Sequence, residues 1–476
     1  MRGFLASSIG VTCAAALALP LTPTAVAAST RPASTAEAAT IPGDRPSPGH
    51  TESLPLEPLG STRATPSAPG APEQGLSRRD VRRFSMVGVI WDDPDVELHG
   101  QVQVRTRAAD TGEWSAWQDV ETHNAEHAAD PDTAERASGR VRGATAPLWV
   151  GDSDGVEVRV RAESTEKTAP VLPEGLRLEL VDPGAEASTA TATRAAALPA
   201  DAPGTNALTS GTSALAPGTA ALTAEAAAAS AASAANAELA PPGALEIPEL
   251  SADGTRAELF ALRGAQLTEE QRAQPYIGPR PKIVTRKGWG ANESWREKAF
   301  VYTKKVKAAF VHHTASGNGY KCSQAPSVIR GIYRYHVVSM GWRDIGYNFV
   351  VDKCGNIYEG RAGGVAKAVL GAHTLGFNSD SMGIALLGSH ATAKPSAASV
   401  TAVARLTAWK LGLFGANPKG KTYLKSGGGN LYAKGKNVRL NVISGHRDGF
   451  ATECPGAQLY KKLGTARSKA AGLQGR

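Results

Sequence analysis

Residues 445–456 of the chain read Gly445-His446-Arg447-Asp448-Gly449-Phe450-Ala451-Thr452-Glu453-Cys454-Pro455-Gly456, and an upstream stretch reads Val311-His312-His313-Thr314. Neutral imidazole and thiolate are the ligands that Zn²⁺ prefers in proteins. Three protein ligands with a fourth position left for water are typical of a catalytic site. The imidazoles and the thiol of these two stretches therefore predict one Zn²⁺ site and a metal-assisted hydrolysis.

The upstream stretch does not by itself say which histidine faces the ion. Residues 308–314 are predicted to form a β-strand, and neighbouring side chains of a strand face opposite sides of the sheet. Only one of His312 and His313 can then point into a given site, and the alternation leaves the choice open. His446 and Cys454 lie on a predicted loop, which can bring both to one ion. Without a metal, His446 would be a surface residue and Cys454 a buried thiol, but the combined set favours the metal.

The N-terminus has the pattern of a secretory signal peptide. Arg2 is followed by an apolar run through Leu19 and by the small residues Ala25-Val26-Ala27. This pattern predicts a signal peptide over residues 1–27 and a secreted or cell-wall-associated protein. A membrane anchor is disfavoured because the apolar run is short, and no later segment is long and apolar enough to span a bilayer.

The cysteines that follow the signal peptide are odd in number. They are Cys322, Cys354 and Cys454, so one thiol is left over if the others form a disulfide. If Cys454 binds metal, Cys322 pairs with Cys354. The alternative is a wall-anchored structural protein in which Cys454 itself joins a disulfide.

Positive charge is concentrated in the C-terminal part of the chain. Residues 286–476 hold 29 Lys and Arg against 8 Asp and Glu, a balance of +21, so the preceding residues carry −13 of the overall +8. In an exported protein, an anionic wall polymer is a more natural partner for this charge than nucleic acid. The alternative is that much of the charge is ordinary solvated surface.

Composition divides the region before residue 283 into three segments. Residues 28–80 are rich in Pro, Ser and Thr and are predicted to be disordered. Residues 81–182 contain short alternating runs separated by turns, which predict a small all-β, sandwich-like domain. Residues 183–282 are predicted to be a disordered Ala/Thr/Ser-rich linker, partly helical near its Ala-rich centre. No residue of the all-β domain is predicted to be catalytic, and most of its tryptophans are assigned to the core.

Residues 283–476 alternate between strand and helix patterns. Strands are predicted over residues 308–314, 347–351, 381–387 and 438–444, with helices over 326–338 and 397–411. Strands mixed with flanking helices predict an α/β domain built on a central mixed sheet.

Six motifs of this domain carry a resemblance to a known family. They are, in order, Arg286-x-x-Trp289-Gly290-Ala291, Val311-His312-His313-Thr314, Gly341-Trp342-x-Asp344-Ile345-Gly346-Tyr347-Asn348-Phe349, Tyr358-Glu359-Gly360-Arg361, Gly371-Ala372-His373-Thr374, and Gly445-His446-Arg447-Asp448 through Thr452-x-Cys454-Pro455-Gly456. Over about residues 283–466 the chain resembles the peptidoglycan recognition proteins, which are related to phage-type N-acetylmuramoyl-L-alanine amidases.

The resemblance implies roles for individual residues. It places the Zn²⁺ ligands at His312, His446 and Cys454, which also selects His312 over His313. Tyr347 and Thr452 match catalytic positions that contact the attacking water or the oxyanion. The substrate-binding positions implied by the motifs are Trp342, Arg361 and His373. His336, on an apolar helix face, is interpreted as a hydrogen-bonded core histidine and not as a fourth ligand.

The resemblance also implies an activity, hydrolysis of the amide between N-acetylmuramic acid and the L-alanine of the stem peptide. Peptidoglycan and anionic wall polymers are the expected partners, and a monomer is the expected state. The alternative is a non-catalytic peptidoglycan receptor, against which the retained Cys454 argues. The sequence departs from the family after Arg361, where Ala362-Gly363-Gly364-Val365 lacks the expected Gly-Trp. Specificity for the third stem residue is therefore not carried over.

Overall fold

The computed structural model describes residues 49–59, 72–163, 170–184 and 217–476. The predicted signal peptide, residues 1–27, lies outside these ranges. Among the described helices, none combines the length and apolarity needed to cross a membrane.

An antiparallel sheet of eight strands forms the N-terminal domain. Its strands are β1 (His50–Pro55), β2 (Glu57–Pro58), β3 (Glu73–Trp91), β4 (Gly100–Ala108), β5 (Gln118–Val120), β6 (Gly143–Ala144), β7 (Leu148–Ala162) and β8 (Arg177–Asp182). The strand order is β1-β8-β3-β7-β4-β5, with β2 and β6 paired to β3. Alternating apolar residues of β4 and β7, such as Val102, Val104, Val156 and Val158, are buried in one core. The predicted all-β domain is thereby confirmed.

The prediction of disorder through residue 80 is wrong at two places. Residues 50–55 pair with β8 along their whole length, and β3 begins at Glu73. Leu56 and Leu76 are buried in the core of the same domain. Strand β1 and residues 73–80 of β3 escaped prediction because each has only one or two apolar residues. A tertiary partner supplies the stabilisation that the local pattern does not indicate.

A mixed sheet of seven strands forms the C-terminal domain. Its strands are β9 (Glu246–Ile247), β10 (Ile283–Val284), β11 (Ala308–His313), β12 (Phe349–Val351), β13 (Ile357–Glu359), β14 (Ser381–Leu386) and β17 (Ile443–Gly445). The order is β17-β11-β14-β12-β13-β10-β9. The pairs β11–β17, β11–β14 and β12–β14 are parallel, whereas β12–β13 is antiparallel. A separate hairpin consists of β15 (Lys421–Lys425) and β16 (Asn437–Asn441).

Helices cover both faces of this sheet. They are α1 (Pro217–Ala234), α2 (Ala252–Arg263), α3 (Glu269–Ala273), α4 (Ala325–Arg334), α5 (Ala397–Gly412), α6 (Ala457–Tyr460) and α7 (Leu463–Leu473), and a π-helical turn (Tyr335–Ser339) follows α4. Phe349 and Val351 pack in the core with α5 and α7, whereas Val350 between them packs in the core with α4. This alternation is what a strand covered on both faces requires, and the predicted α/β fold with flanking helices is confirmed.

The linker predicted over residues 183–282 is too long. Residues 185–216 lie outside the described ranges, but Leu239, Ile247 and Leu259 are buried in the core of the C-terminal domain. Asn236 donates a hydrogen bond to Glu359 and accepts one from the Val365 N–H. The second half of this segment is therefore part of the domain. Its apolar residues are too widely spaced to form a recognisable helical stripe, which is why the sequence favoured a spacer.

Several of the motif residues behind the resemblance make structural contacts. The buried Arg286 guanidinium contacts Glu293 at 2.7 Å and Asp344 at 3.0 Å. The indole of Trp289 donates to the backbone carbonyl of Glu359. The Glu359 carboxylate accepts hydrogen bonds from Asn236 and from the Arg286 N–H. These contacts fix the hairpin of β13 against the loop that precedes β11.

A disulfide joins Cys322, just before α4, to Cys354 in the turn between β12 and β13. The sulfur of Cys454 is free and buried. Because the bridge closes a loop across a sequence separation of 32 residues, we expect the double variant Cys322→Ser/Cys354→Ser to lose about 3–4 kcal/mol of unfolding free energy in the chain-entropy description. Urea denaturation measures this loss, and an unchanged midpoint would contradict it. Peptide mapping of non-reduced protein should find Cys454 outside every disulfide.

Candidate functional site

Pairing of β11 with β17 brings two predicted ligands together. The two strands are parallel, and Val311 is in register with Gly445. His312 and His446 each follow that pair by one residue, so their rings lie side by side with centroids 4.5 Å apart. His313 faces the other side of β11, where its Nδ1 accepts a hydrogen bond from the His390 N–H.

Cys454 reaches the same place from the loop after His446. A hydrogen bond from the Arg447 N–H to the Cys454 carbonyl closes this loop. The Cys454 sulfur then lies 3.8 Å from Nδ1 of His312. The structure therefore brings together all three residues proposed as metal ligands.

A fourth potential ligand comes from the N-terminal domain. His127 lies between β5 and β6, and its Nε2 is 3.6 Å from the Cys454 sulfur. One ligand atom from each of His127, His312, His446 and Cys454 lies within 4.8 Å of the others, and all four residues are buried.

Burial sets the protonation of these groups. It lowers the pKa of His312 and His446 well below the usual range and that of His127 to about 4, so the three imidazoles are neutral. Burial also raises the pKa of the Cys454 thiol well above its usual range. A thiolate in this place needs a nearby cation, and a bound metal ion supplies one.

The polar atoms of the cluster fit a metal ion. Among the described residues, neither ring nitrogen of His446 has a hydrogen-bond partner of normal geometry, and Nδ1 of His127 has none. The backbone carbonyl of Glu126 lies close to the His446 ring. Its effect on the pKa of His446 is a small increase, which opposes the larger decrease caused by burial. Buried polar atoms without partners are costly in native proteins. Three neutral imidazoles and a thiol match the ligand set of Zn²⁺.

A series of hydrogen-bonded side chains leads away from the His312 ring. Its Nε2, the nitrogen opposite the one near Cys454, is 3.4 Å from the Thr374 hydroxyl. Thr374 in turn contacts Nδ1 of His373 at 3.0 Å, and the Asn378 side chain accepts the N–H groups of both residues. Such partners orient a ligating imidazole. His373 was expected to contact substrate, but here it is fully buried behind Thr374.

The two residues with expected catalytic roles border the cluster. The Tyr347 ring lies 5.7 Å from the ring of His312, and burial raises the pKa of its hydroxyl well above the usual range. The Thr452 hydroxyl accepts the Cys454 N–H at 3.1 Å and donates to Glu126 of the N-terminal domain at 2.7 Å.

The other expected substrate contacts are also covered. The Arg361 guanidinium forms two hydrogen bonds of 2.8 and 2.9 Å with the carboxylate of Glu135, and both side chains are about 5% exposed. Trp342 is buried against the His336 ring, at a centroid distance of 4.5 Å. The interpretation of His336 as a core histidine is confirmed, because its Nδ1 accepts the Gly346 N–H.

No motif of the sequence predicted His127 as a ligand. The prediction that no residue of the all-β domain is catalytic did not anticipate that His127 of this domain joins the cluster. Residues 121–142 have neither alternation nor ligand spacing, because they join two strands as a long loop. The one local signal is the pair His123 and His127 among several acidic residues, which is too common in loops to predict a metal ligand.

Comparisons with known proteins find similarities for both domains. A family described as N-acetylmuramoyl-L-alanine amidase matches residues 302–457, and one described as N-terminal galactose-binding domain-like matches residues 34–196. Peptidoglycan-recognition protein SC2 of Drosophila simulans is 31% identical over 186 residues, which are 38% of this chain and 85% of that protein.

Two further similarities concern an enzyme and a solved structure. The N-acetylmuramoyl-L-alanine amidase of Homo sapiens is 30% identical over 214 residues, 44% of this chain and 31% of that protein. Drosophila PGRP-LB has a solved structure that is 27% identical and covers 38% of this chain and 92% of its own, with a TM-score of 0.30.

Proposed function

Because the chain belongs to the family of peptidoglycan recognition proteins and N-acetylmuramoyl-L-alanine amidases, we propose that it is a Zn²⁺-dependent amidase of peptidoglycan. The bond it hydrolyses joins the lactyl group of N-acetylmuramic acid to the L-alanine of the stem peptide. The observation that carries the proposal is the convergence of His312, His446 and Cys454, whose ligand atoms meet in one buried cluster. The N-terminal signal pattern and the disulfide support a secreted or wall-associated protein.

The proposed chemistry assigns separate tasks to the metal and to the chain. Zn²⁺ held by these ligands would supply Lewis-acid activation of water and of the scissile carbonyl. Tyr347 keeps its proton, because burial raises its pKa, so its hydroxyl can donate a hydrogen bond to negative charge that develops on the carbonyl oxygen. The Thr452 hydroxyl accepts the Cys454 N–H and donates its proton to Glu126, so it can donate to the same oxygen once Glu126 is displaced.

Mass spectrometry of fragments released from purified peptidoglycan tests this proposal. We expect free stem peptides that begin with L-alanine, a loss of release in the presence of a chelator, and recovery when Zn²⁺ is added back. Long incubations allow peptide release to be detected even when the full chain hydrolyses peptidoglycan slowly. Binding to peptidoglycan without release of peptides would instead support the receptor. Fragments cut only in the glycan strand would contradict the assigned bond.

A second expectation concerns the positive charge of the C-terminal domain. Lysines are exposed on the loop before β11 and on the β15–β16 hairpin with its flanks, namely Lys304, Lys305, Lys419, Lys421, Lys425, Lys434 and Lys436. We propose that they contact phosphate-bearing wall polymers. Raising salt from 0.1 M to 1 M shortens the screening length from about 10 Å to about 3 Å, so retention on purified walls should fall.

Sedimentation with walls at the two salt concentrations measures this effect. Cleavage of small soluble muropeptides serves as the control and should change little, because it does not depend on long-range attraction. Retention that is insensitive to salt would mean that these lysines are only solvated surface.

A further inference from the structure

We propose that His127 is a fourth ligand of the metal and that the segment around it occupies the substrate groove, so that the chain folds into a latent form of the enzyme. We define residues 121–142, which join β5 to β6, as the cap segment. The assignment of His127 as a ligand stands on the cluster geometry alone. The latency rests on the proposed function of the site.

Two distances within the cluster match those of a tetrahedral site. Bond lengths for Zn–N and Zn–S place nitrogen and sulfur about 3.6 Å apart in an ideal tetrahedron. The Cys454 sulfur is 3.6 Å from Nε2 of His127 and 3.8 Å from Nδ1 of His312. His127 therefore lies where a further ligand is expected, because its distance from the Cys454 sulfur is close to that of the assigned ligand His312. A site with four protein ligands keeps no open position for water, which is the feature of structural zinc sites.

Glu126, the residue before His127, binds a second functional residue of the site, Thr452. The Glu126 carboxylate accepts the Thr452 hydroxyl at 2.7 Å, the donor assigned above to the carbonyl oxygen of the substrate. The backbone carbonyl of Glu126 accepts the Leu375 N–H at 2.9 Å. The cap segment therefore binds both sides of the metal cluster through main-chain and side-chain contacts.

Two further carboxylates of the cap segment bind the C-terminal domain. Glu135 accepts two hydrogen bonds from Arg361 and one from the Arg343 N–H. Asp130 accepts the Gly376 N–H at 2.8 Å and the Asn378 side chain at 2.7 Å. A peptide with free carboxylates needs donors of this kind. With the cap segment in place, the cation of Arg361 is already neutralised and buried.

The rest of the N-terminal domain holds the cap segment in position. Met86, Ile90 and Trp149 share one hydrophobic core with α4 and the π-helical turn. The Tyr335 hydroxyl contacts the carbonyl oxygens of Val89 and Thr145 at 3.3 and 3.2 Å. A closed arrangement with a shared core is the ground state of the chain, so substrate must compete with a tethered segment.

Zinc K-edge X-ray absorption on the full chain loaded with one equivalent of Zn²⁺ tests the ligand assignment. We expect three imidazoles and one sulfur in the unmodified chain. In the His127→Ala variant we expect two imidazoles, one sulfur and one oxygen. The matched control is His123→Ala on the same segment, because the His123 side chain is 74% exposed and forms an ion pair with Glu121 of the same segment. This control should keep the spectrum of the unmodified chain.

Binding and hydrolysis of a soluble muropeptide test the latency. Substrate binds only molecules whose cap segment is withdrawn, so His127→Ala should raise both the affinity and the hydrolysis rate by roughly tenfold or more. Glu135→Gln, which leaves the metal ligands untouched, should raise affinity in the same direction. It serves as a second variant if His127→Ala does not fold.

Each outcome decides one of the two claims. Two imidazoles and an oxygen in the unmodified chain would overturn the fourth ligand. Equal or lower affinity and hydrolysis in both variants would overturn the latency, and a loss of hydrolysis in His127→Ala would make His127 a participant in the chemistry. Three imidazoles with higher muropeptide affinity but no peptide release would support the cap segment while refuting the proposed amidase activity.

Discussion

The His446→Ala variant is expected to lose its bound Zn²⁺ and to lose hydrolysis by roughly 10³-fold or more. Metal catalysis supplies several kcal/mol of transition-state stabilisation, and about 1.4 kcal/mol corresponds to a factor of ten. His446 is fully buried, and its two ring nitrogens have no other partner of normal geometry in the described part of the chain. Removing the imidazole therefore removes a ligand without breaking a hydrogen-bond network.

Elemental analysis and the peptide-release assay measure the two losses, and circular dichroism checks that the fold remains. His313→Asn is the matched control, because His313 neighbours a ligand in sequence but faces the other side of β11. The control should retain one Zn²⁺ per chain. A His446→Ala protein with full zinc and full activity would remove the basis of the metal site.

Tyr347→Phe is expected to lower turnover by about 10²- to 10³-fold, the usual effect of losing one hydrogen bond to a developing oxyanion. The ring packs against those of His312, His127 and His336 at 5.7, 5.9 and 5.8 Å. Phenylalanine preserves this packing, so zinc content and muropeptide affinity should be unchanged.

Steady-state kinetics on a soluble muropeptide separate the two parameters. Tyr320→Phe is a suitable control, since Tyr320 is equally buried but its hydroxyl accepts the Lys353 N–H beside the disulfide, away from the cluster. If Tyr347→Phe weakens affinity and leaves kcat intact, Tyr347 is a groove residue and does not act on the reacting carbonyl.

Patterns that are local in sequence predicted much of the C-terminal fold. The strand patterns placed β11, β12 and β14, and the two helix patterns placed α4 and α5. The metal ligands could be predicted for the same reason. His312 and His446 both lie at the ends of apolar strands, and Cys454 follows within one loop. The motifs then resolved the choice between His312 and His313 that alternation had left open.

Contacts between segments that are distant in sequence could not be predicted from local patterns. His127 lies in a loop whose own residues have no period, and it reaches the site only because the N-terminal domain packs on α4. Strands β1 and the first part of β3 were missed because their partners, β8 and β7, are distant in sequence. The segment around Asn236 resembled a spacer, since its contacts with Glu359 and Val365 are hydrogen bonds that no hydropathy pattern records.

The pairing of β11 with β17 has a consequence beyond the reaction. β17 is the outermost strand of the C-terminal sheet and joins it through three residue pairs. An ion bound by both His312 and His446 would link these two strands. Without it, the outer strand is held more weakly, and a loosened strand edge is a template on which other chains can assemble. Zinc supply would then govern the solubility of the protein as well as its catalysis.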